Sequence, residues 1–332
     1  MDPEQAREET DSVAKSQLSV LLENVTFTYP NGERPALRNI NLRVEKGEVV
    51  MISGPAGAGK TTLCLMLNGL IPHFFRGKLK GEVLVNGLDV KKNIPAYLSH
   101  IVGLMFQDPE SQLVCPTVVD ELAFGPENYG VPPVEIRQRV EETMKAIRLE
   151  KYRESNPHFL SGGEQQACAL GAIMTMRPKI YVLDEPTSNI DPIGSFQVLS
   201  LLAKLSKQQE STMIIVEHKM EDLLPFVSRL VVMDKGEIAL DGSPRDLLED
   251  VQLMEKMGIK PPKVTLLASK MKGRYRDIVL PLTLEEAFEV FSKLLEKRKR
   301  GPLISEQEAP VQMSAQMTRE KVIETRDLWH IY

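Results

Sequence analysis

The stretch Gly54-Pro55-Ala56-Gly57-Ala58-Gly59-Lys60-Thr61 matches the pattern G-x-x-x-x-G-K-[ST]. It follows an apolar run, residues 48–53, that indicates a buried strand, and it precedes a helical pattern over residues 60–70. Glycines allow a tight turn whose backbone N–H groups point inward at an anion, and the helix N-terminus faces the same way. The sequence therefore predicts an α/β fold with a loop that cradles the phosphates of a nucleotide.

Two side chains of this loop predict specific contacts. Lys60 supplies a positive charge for the β and γ phosphates, and the Thr61 hydroxyl is suited to ligate Mg²⁺. Lys179-Ile-Tyr-Val-Leu-Asp184-Glu185 is an apolar strand that ends in two acids. In this context Asp184 is expected to hold Mg²⁺, through a water molecule. Glu185 is expected to orient or deprotonate the attacking water.

A second glycine motif, Leu160-Ser161-Gly162-Gly163-Glu164-Gln165, lies further along the chain at the start of another helical pattern. The hydroxyl of Ser161 and the N–H groups of the two glycines open that helix, so its positive dipole end is predicted to face a phosphate.

The order of these motifs resembles that of the ATP-binding cassette (ABC) ATPases over roughly residues 18–250. The resemblance implies a P-loop NTPase cassette with a mostly parallel sheet, an antiparallel β subdomain and a helical subdomain that carries the signature motif at 160–165. It also implies ATP hydrolysis and a partner cassette, because the signature motif of one cassette closes the nucleotide site of the other.

The resemblance adds further residues. Tyr29 stands where these ATPases stack an aromatic ring on adenine, and Gln107 matches the glutamine that contacts Mg²⁺ and senses the transport subunit. Asp191 belongs to the segment that crosses the dimer interface, and His218 matches the switch histidine that contacts the γ-phosphate. The predicted nucleotide-binding residues are Tyr29, Gly54, Pro55, Ala56, Gly57, Ala58, Gly59, Lys60, Thr61, Thr62, Ser161, Gly162, Gly163 and Asp191. The predicted catalytic residues are Lys60, Gln107, Glu185 and His218, and the predicted Mg²⁺ ligands are Thr61, Gln107 and Asp184.

Two positions depart from the family pattern. Position 167 is Ala167 where many relatives carry arginine, and residues 188–191 read Ser-Asn-Ile-Asp rather than the more usual Ser-Ala-Leu-Asp. Neither change removes a catalytic group.

Three stretches, residues 106–113, 117–125 and 216–221, are similar to the energy-coupling factor ATPases. That resemblance implies uptake of a vitamin or metal ion through a transmembrane coupling subunit and a substrate-binding membrane subunit. It also implies peripheral attachment to the cytoplasmic face of the membrane. Leu113, Val114 and Val118 are expected to border the groove that receives the membrane subunit. The solute is not encoded in this chain, because in the resembled family another protein selects it.

Composition fits one cassette with an extension. The chain has 332 residues, 42% of them hydrophobic and 26% charged, which is ordinary for a protein that buries a core. A net charge of −5 excludes the global basic footprint of nucleic-acid binders, so no nucleic acid is expected as a partner. The three cysteines show no metal-binding spacing, and the sequence contains neither a secretory leader pattern nor a long apolar span.

Four segments are predicted: a polar N-terminal tail (1–17), the ATPase domain (18–250), an extension or linker (251–318) and a possible start of a second cassette (319–332). The last assignment depends on an ungapped match between residues 322–332 and 19–29, in which Tyr332 falls on Tyr29. A tail with an accidental β pattern is the alternative. Within the extension, residues 283–300 predict a helix with Thr283 as its cap.

Two other functions are weighed against transport. A soluble tandem ABC protein that acts on the ribosome would use the basic run 297–300 as a contact, but such relatives usually carry Ser-His-Asp where this chain has Glu217-His218-Lys219. A chromosome-maintenance ATPase would separate the motifs with a long coiled coil, and no heptad run lies between Thr61 and Ser161.

Overall fold

The computed structural model describes residues 17–190, 192–273, 275 and 278–300. The predictions for the N-terminal tail, for Asp191 and for residues 319–332 fall wholly or almost wholly outside these ranges and stay predictions. The chain divides into two units, residues 1–290 and 291–332, and the described part of the second unit is the helical stretch 291–300.

Ten strands form two sheets in the described residues. The strands are β1 (Leu18–Thr28), β2 (Leu37–Glu45), β3 (Val49–Ser53), β4 (Lys78–Val85), β5 (Leu88–Asp89), β6 (Val102–Met105), β7 (Ile180–Asp184), β8 (Thr212–Val216), β9 (Arg229–Asp234) and β10 (Glu237–Gly242). A four-stranded antiparallel sheet has the order β2-β1-β4-β5, and a six-stranded sheet has the order β10-β9-β3-β8-β7-β6. In the larger sheet every pairing is parallel except that of the edge strand β10 with β9.

Helices of very different length connect these strands. Four helices of the described cassette are 11 to 18 residues long, and several others are single turns. The helices are α1 (Lys60–Leu67), α2 (Leu70–His73), α3 (Pro95–Leu98), α4 (Val118–Asn128), α5 (Pro133–Ala146), α6 (Gly162–Met176), α7 (Pro192–Gln209), α8 (Met220–Leu223), α9 (Pro244–Leu247), α10 (Val251–Lys256), α11 (Lys263–Met271) and α12 (Leu284–Arg300).

The six-stranded sheet separates two apolar cores. Strand residues alternate between the faces, so Met51 and Ile215 join one cluster while Ile52 and Ile214 join the other. The first cluster is shared with helices α4–α6, and the second with α1 and the antiparallel sheet. Burial on both faces explains why these strands read as continuous apolar runs, and the predicted α/β cassette is confirmed.

The helical subdomain forms as its sequence pattern predicts. Helix α5 starts at Pro133, and its apolar positions Ile136, Val140 and Met144 are buried against α4 and α6. Gly171 of α6 allows close packing, since a Cβ there would lie 2.6 Å from Ile147. Helix α6 is therefore held firmly, with its N-terminus carrying the signature motif.

Residues beyond 250 continue the compact unit. Met254, Ile259 and Leu282 are buried in the same cluster as the helical subdomain, so the unit extends past the predicted domain boundary to residue 290. Helix α12 begins as expected: the Thr283 hydroxyl accepts a hydrogen bond from the backbone N–H of Glu286 at 3.2 Å. Among the described residues no helix combines the length and apolarity needed to cross a membrane.

The order of the strands in the larger sheet determines where the predicted functional residues lie. β3, β8, β7 and β6 are parallel neighbours, so their carboxyl ends meet at one edge. The glycine loop follows β3, His218 lies just beyond β8, Glu185 follows β7 and Gln107 lies just beyond β6. Four segments that are distant in sequence therefore converge there.

Candidate functional site

The glycine loop turns from β3 into α1 with backbone angles that favour glycine. Gly59 has φ of 101° and directly precedes the helix, and a Cβ at this position would lie 2.7 Å from the carbonyl oxygen of Ala36. Lys60 is 7% exposed, and its ammonium donates to the carbonyl oxygens of Gly54 at 2.8 Å and Pro55 at 3.0 Å. Burial lowers the pKa of Lys60, while the charges of Asp184 and Glu185 oppose that shift. The lysine is thus pre-positioned inside the loop.

The Thr61 hydroxyl and the Asp184 carboxylate form a hydrogen-bonded pair. Thr61 Oγ1 donates to Asp184 Oδ2 at 2.7 Å. Asp184 is 3% exposed, and this burial raises the pKa of its carboxyl; the charge of Glu185 adds to the rise, while the hydrogen bond from Thr61 opposes it. Two oxygen ligands predicted from separate motifs therefore lie in contact.

Glu185 lies between two other residues that the sequence predicts to be catalytic. Gln107 Nε2 donates to Glu185 Oε1 at 3.1 Å, and His218 Nε2 lies 3.4 Å from the same oxygen. The backbone of Glu185 has φ of 53°, an unfavourable region for a residue with a side chain, and its N–H donates to the carbonyl of Val216 at 2.9 Å. The structure thus brings together Gln107, Glu185 and His218, three of the four residues that the sequence predicts to be catalytic.

Tyr29 lies beside the start of α1. Its hydroxyl is 3.3 Å from Oγ1 of Thr62, and its ring meets Phe27 edge-on with centroids 4.8 Å apart. The ring is partly buried at the border of the nucleotide loop. Stacking of this ring on adenine stays a prediction.

The signature motif forms a capped helix N-terminus. Ser161 donates its backbone N–H at 3.0 Å and its hydroxyl at 2.7 Å to Glu164 Oε2. Partial burial raises the pKa of Glu164, but hydrogen bonds with Tyr152 and Ser161 and the charge of Lys151 outweigh that effect, so the pKa lies below its ordinary value. A cavity of 820 Å³ borders the motif and is also lined by Ala167 and Asn189.

Two buried side chains at the site carry no role in the sequence predictions. Gln166 of α6 is fully buried; its Nε2 donates to the carbonyl of Glu185 at 2.7 Å, and its Oε1 accepts from the N–H of Asn189 at 2.9 Å. Glu217 is 3% exposed and accepts hydrogen bonds from Thr187 and from the backbone of His218. The sequence feature that could have pointed to Glu217 is its position as a charged residue directly after the apolar strand 212–216.

The expected border of the membrane-subunit groove needs correction. Leu113 is 4% exposed and Val118 is fully buried, because both side chains belong to the core of the helical subdomain. Of the three residues named from the sequence, Val114 is the exposed one, at 65%. Ile94, Tyr97 and Phe124 are among the other large apolar side chains that are exposed.

Comparison with known proteins agrees with this geometry. The family model described as ABC transporter matches residues 37–188. A putative ABC transporter ATP-binding protein of Pyrococcus abyssi is 43% identical over 82% of this chain and 98% of its own length. The energy-coupling factor transporter ATP-binding protein EcfA1 of Caldanaerobacter subterraneus is 40% identical over 80% of this chain and 96% of its own length. Some relatives are longer: the chain spans 55% of another ABC transporter ATP-binding protein of that organism.

Solved structures give the same result. The structure of cbiO1 from Clostridium perfringens, part of the ABC transporter complex cbiONQ, matches with a TM-score of 0.64 and 28% identity, covering 78% of this chain and 99% of that one. A dimeric ATP-binding cassette in a post-hydrolysis state, bound to ADP and Pi, matches with a TM-score of 0.60 and 29% identity over 68% of this chain and 99% of that one.

These relatives do not favour the ribosome-acting alternative. They identify an ATP-binding, ATP-hydrolysing transporter subunit. This chain therefore belongs to the ATPases of the ABC transporter family, in the energy-coupling factor type.

Proposed function

We propose that this ATPase energises the uptake of a vitamin or metal ion through separate membrane subunits, from the cytoplasmic face of the membrane. The proposal that the chain hydrolyses ATP at this site rests on the position of Glu185, beside the nucleotide loop. Its Oε1 atom lies 3.1 Å from Gln107 Nε2 and 3.4 Å from His218 Nε2. Such a carboxylate can orient a water and take up its proton while neighbouring groups hold it in place.

The residues present fit Mg²⁺. The Thr61 hydroxyl and the Asp184 carboxylate are 2.7 Å apart, and both are oxygen ligands of the kind that this cation prefers. The described residues contain no cluster of three His, Cys, Asp or Glu, in keeping with an ion held by few protein ligands together with phosphates. Thr61 and Asp184 would hold the ion, with Gln107 as a further ligand. Bound Mg²⁺ neutralises charge on the β and γ phosphates.

The remaining residues bind and orient the nucleotide. In this proposal the N–H groups of residues 54–61 and the Lys60 ammonium hold the phosphates, and Tyr29 stacks on adenine. His218 contacts the γ-phosphate and Glu185 acts on the attacking water.

The signature motif is proposed to act on the nucleotide of the partner cassette. Ser161, Gly162 and Gly163 open α6 toward an 820 Å³ cavity, and within the described residues the Ser161 hydroxyl donates to Glu164 of its own helix. Asp191, which lies outside the described residues, is proposed to cross the same interface. The partner is a second cassette, supported by the dimeric cassette structure described above.

The membrane subunits are proposed to dock on the exposed apolar side chains Ile94, Tyr97, Val114 and Phe124, which we call the docking surface. The structurally similar protein cbiO1 is part of a larger transporter complex, and this membership supports such an assembly. Co-purification of the chain from membranes, with identification of the associated chains, tests this part.

The chemical part is tested by Glu185→Gln, which keeps the size of the side chain but removes its basicity. ATP should still bind and the cassette dimer should be more stable. Turnover should fall by roughly 10²- to 10⁴-fold, the usual cost of losing a general base. Near-normal turnover would remove Glu185 from the mechanism.

Docking is tested by charge substitution on exposed positions. Tyr97→Glu and Val114→Glu should abolish coupling of ATP hydrolysis to transport while the ATPase activity of the isolated chain stays intact. Val134→Glu is the matched control, since Val134 is 78% exposed and lies at the start of α5. Normal transport by both docking variants would show that the docking surface lies elsewhere.

A further inference from the structure

Glu217 is a buried carboxylate with an unusually complete set of donors. It is 3% exposed at the end of β8, where burying a charge is costly unless hydrogen bonds compensate. Its Oε1 accepts from the Thr187 hydroxyl and from the Thr187 N–H at 3.3 Å. Its Oε2 accepts from the N–H of His218 at 2.9 Å and that of Lys219 at 3.4 Å. Each oxygen therefore serves a different segment of the chain.

The two segments are those that carry the proposed catalytic pair. Thr187 follows Glu185 by two residues after β7, and His218 follows Glu217 directly after β8. The distance of 3.4 Å between His218 Nε2 and Glu185 Oε1 depends on how these segments lie relative to each other. Strand pairing joins them through the N–H of Glu185 and the carbonyl of Val216, and the carboxylate of Glu217 joins them a second time, beyond the strand ends.

We propose that Glu217 is a positioning residue for ATP hydrolysis: its two carboxylate oxygens fasten the Glu185 segment to the His218 segment and so fix the catalytic pair. This inference rests on the proposed roles of Glu185 and His218. Glu217 itself touches no nucleotide in this account, because both of its oxygens are occupied by protein donors.

The sharpest substitution is Glu217→Gln, which preserves size and shape. An amide presents one oxygen and one NH₂ group. If its oxygen faces the backbone donors of His218 and Lys219, its NH₂ group faces Thr187, whose hydroxyl can turn to accept but whose N–H loses its acceptor. In the opposite orientation the N–H groups of His218 and Lys219 lose theirs, so one of the two fastenings is weakened in either case. We expect kcat to fall by about 10- to 100-fold, the scale at which small misplacement of catalytic groups acts. KM and ATP affinity should change little, because Lys60 and the glycine loop are untouched.

A second variant tests whether the effect acts through the hydrogen bond from Thr187. It also gives an independent result if Glu217→Gln fails to fold. Thr187→Val removes the hydroxyl donor with nearly the same shape at a site that is 1% exposed. It should lower kcat in the same direction. The double variant Glu217→Gln/Thr187→Val should lose less than the product of the two single losses, because both changes break one connection.

Glu121→Gln is the matched control. Glu121 is 4% exposed, and its Oε2 accepts from the N–H groups of Val114 at 2.8 Å and Cys115 at 2.7 Å, outside the segments of Glu185 and His218. The chemical change and the burial are matched, but here both donors are backbone N–H groups that bind one oxygen, and the amide oxygen of glutamine can take its place. This variant should stay folded and keep the kcat of the isolated full-length chain.

The measurements are steady-state ATPase kinetics, ATP affinity by calorimetry and thermal unfolding for all variants. A reduced kcat with preserved affinity in Glu217→Gln and Thr187→Val, and a normal kcat in Glu121→Gln, supports the inference. Wild-type kcat in both Glu217→Gln and Thr187→Val overturns it, as does an equal loss of kcat in Glu121→Gln. If Glu185→Gln is inactive while these variants are fully active, this inference alone fails; if Glu185→Gln is active, the proposed function fails as well.

Discussion

The nucleotide loop and the signature motif use the same physics but differ in how complete they are. Both place glycines and a hydroxyl residue at a helix N-terminus. In the nucleotide loop the cation is built in, because Lys60 is buried and bonded to two loop carbonyls beside Asp184 and Glu185. In the signature motif, the Ser161 hydroxyl is bonded to the acid Glu164 of its own helix.

This difference indicates that one chain holds one complete phosphate site, the nucleotide loop, and one partial site, the signature motif. In our proposal the nucleotide loop binds ATP within one chain. The signature motif faces an open cavity and supplies only N–H groups and a hydroxyl, so it is suited to close a site whose cation belongs to another cassette. Substitutions in the two motifs should therefore fail in different ways.

The largest effect on ATP affinity is expected for Lys60→Ala. ATP should bind about 10- to 100-fold more weakly, since a hydrogen bond to a charged group is worth roughly 1.5–3 kcal/mol. Calorimetric titration measures this directly. Lys92→Ala is the control, because Lys92 is 82% exposed and should be neutral. Unchanged affinity in Lys60→Ala would contradict the phosphate-binding role of the loop.

Gly162→Asp should have a large effect of a different kind. A Cβ at Gly162 would meet only the Cβ of Asn189 at an ordinary 3.8 Å, and an acid in the first turn favours the helix, so folding should be preserved. The new charge would repel a phosphate that approaches this helix. We expect turnover to be lost while ATP binding to the single cassette stays normal, as measured by ATPase assay and calorimetry. Loss of ATP binding in this variant would place the motif at its own chain's nucleotide.

A smaller effect is expected for Glu164→Gln. The hydroxyl of Ser161 would be held less tightly and one negative charge would leave the phosphate-facing end of α6, so the apparent KM for ATP should fall a few-fold. The stability of the fold should fall as well. Because the folded pKa of Glu164 lies below its ordinary value, its contribution to stability is present above the unfolded pKa and is lost as pH falls through the folded pKa.

Denaturant unfolding at neutral and acid pH measures the stability part of this prediction. Glu164→Gln should be less stable than wild type at neutral pH, and the difference should shrink on acidification. A KM equal to that of wild type, with unchanged stability at both pH values, would show that the capping carboxylate has no influence on the motif.

The sequence predicts the parts of this site that depend on local pattern. Strand, glycine loop and helix follow each other around Lys60, and parallel topology then brings Gln107, Glu185 and His218 to one sheet edge. The links made by Gln166 and Glu217 were not predicted, because each joins segments that are distant in sequence through buried polar side chains. Leu113 and Val118 were expected at the border of a surface groove, but the fold buries both side chains, and the local sequence pattern does not reveal that burial.

The most direct test of the central claim mixes Lys60→Ala, which should bind ATP weakly, with Gly162→Asp, which should lack turnover. If the signature motif acts on the partner's nucleotide, a dimer of one Lys60→Ala chain and one Gly162→Asp chain has both defects in one site and an intact second site. We therefore predict that mixing the two proteins under conditions that allow subunit exchange restores ATPase activity well above the sum of the separate samples. If the mixture stays inactive while wild-type protein treated identically is active, the signature motif serves its own chain and the account is wrong.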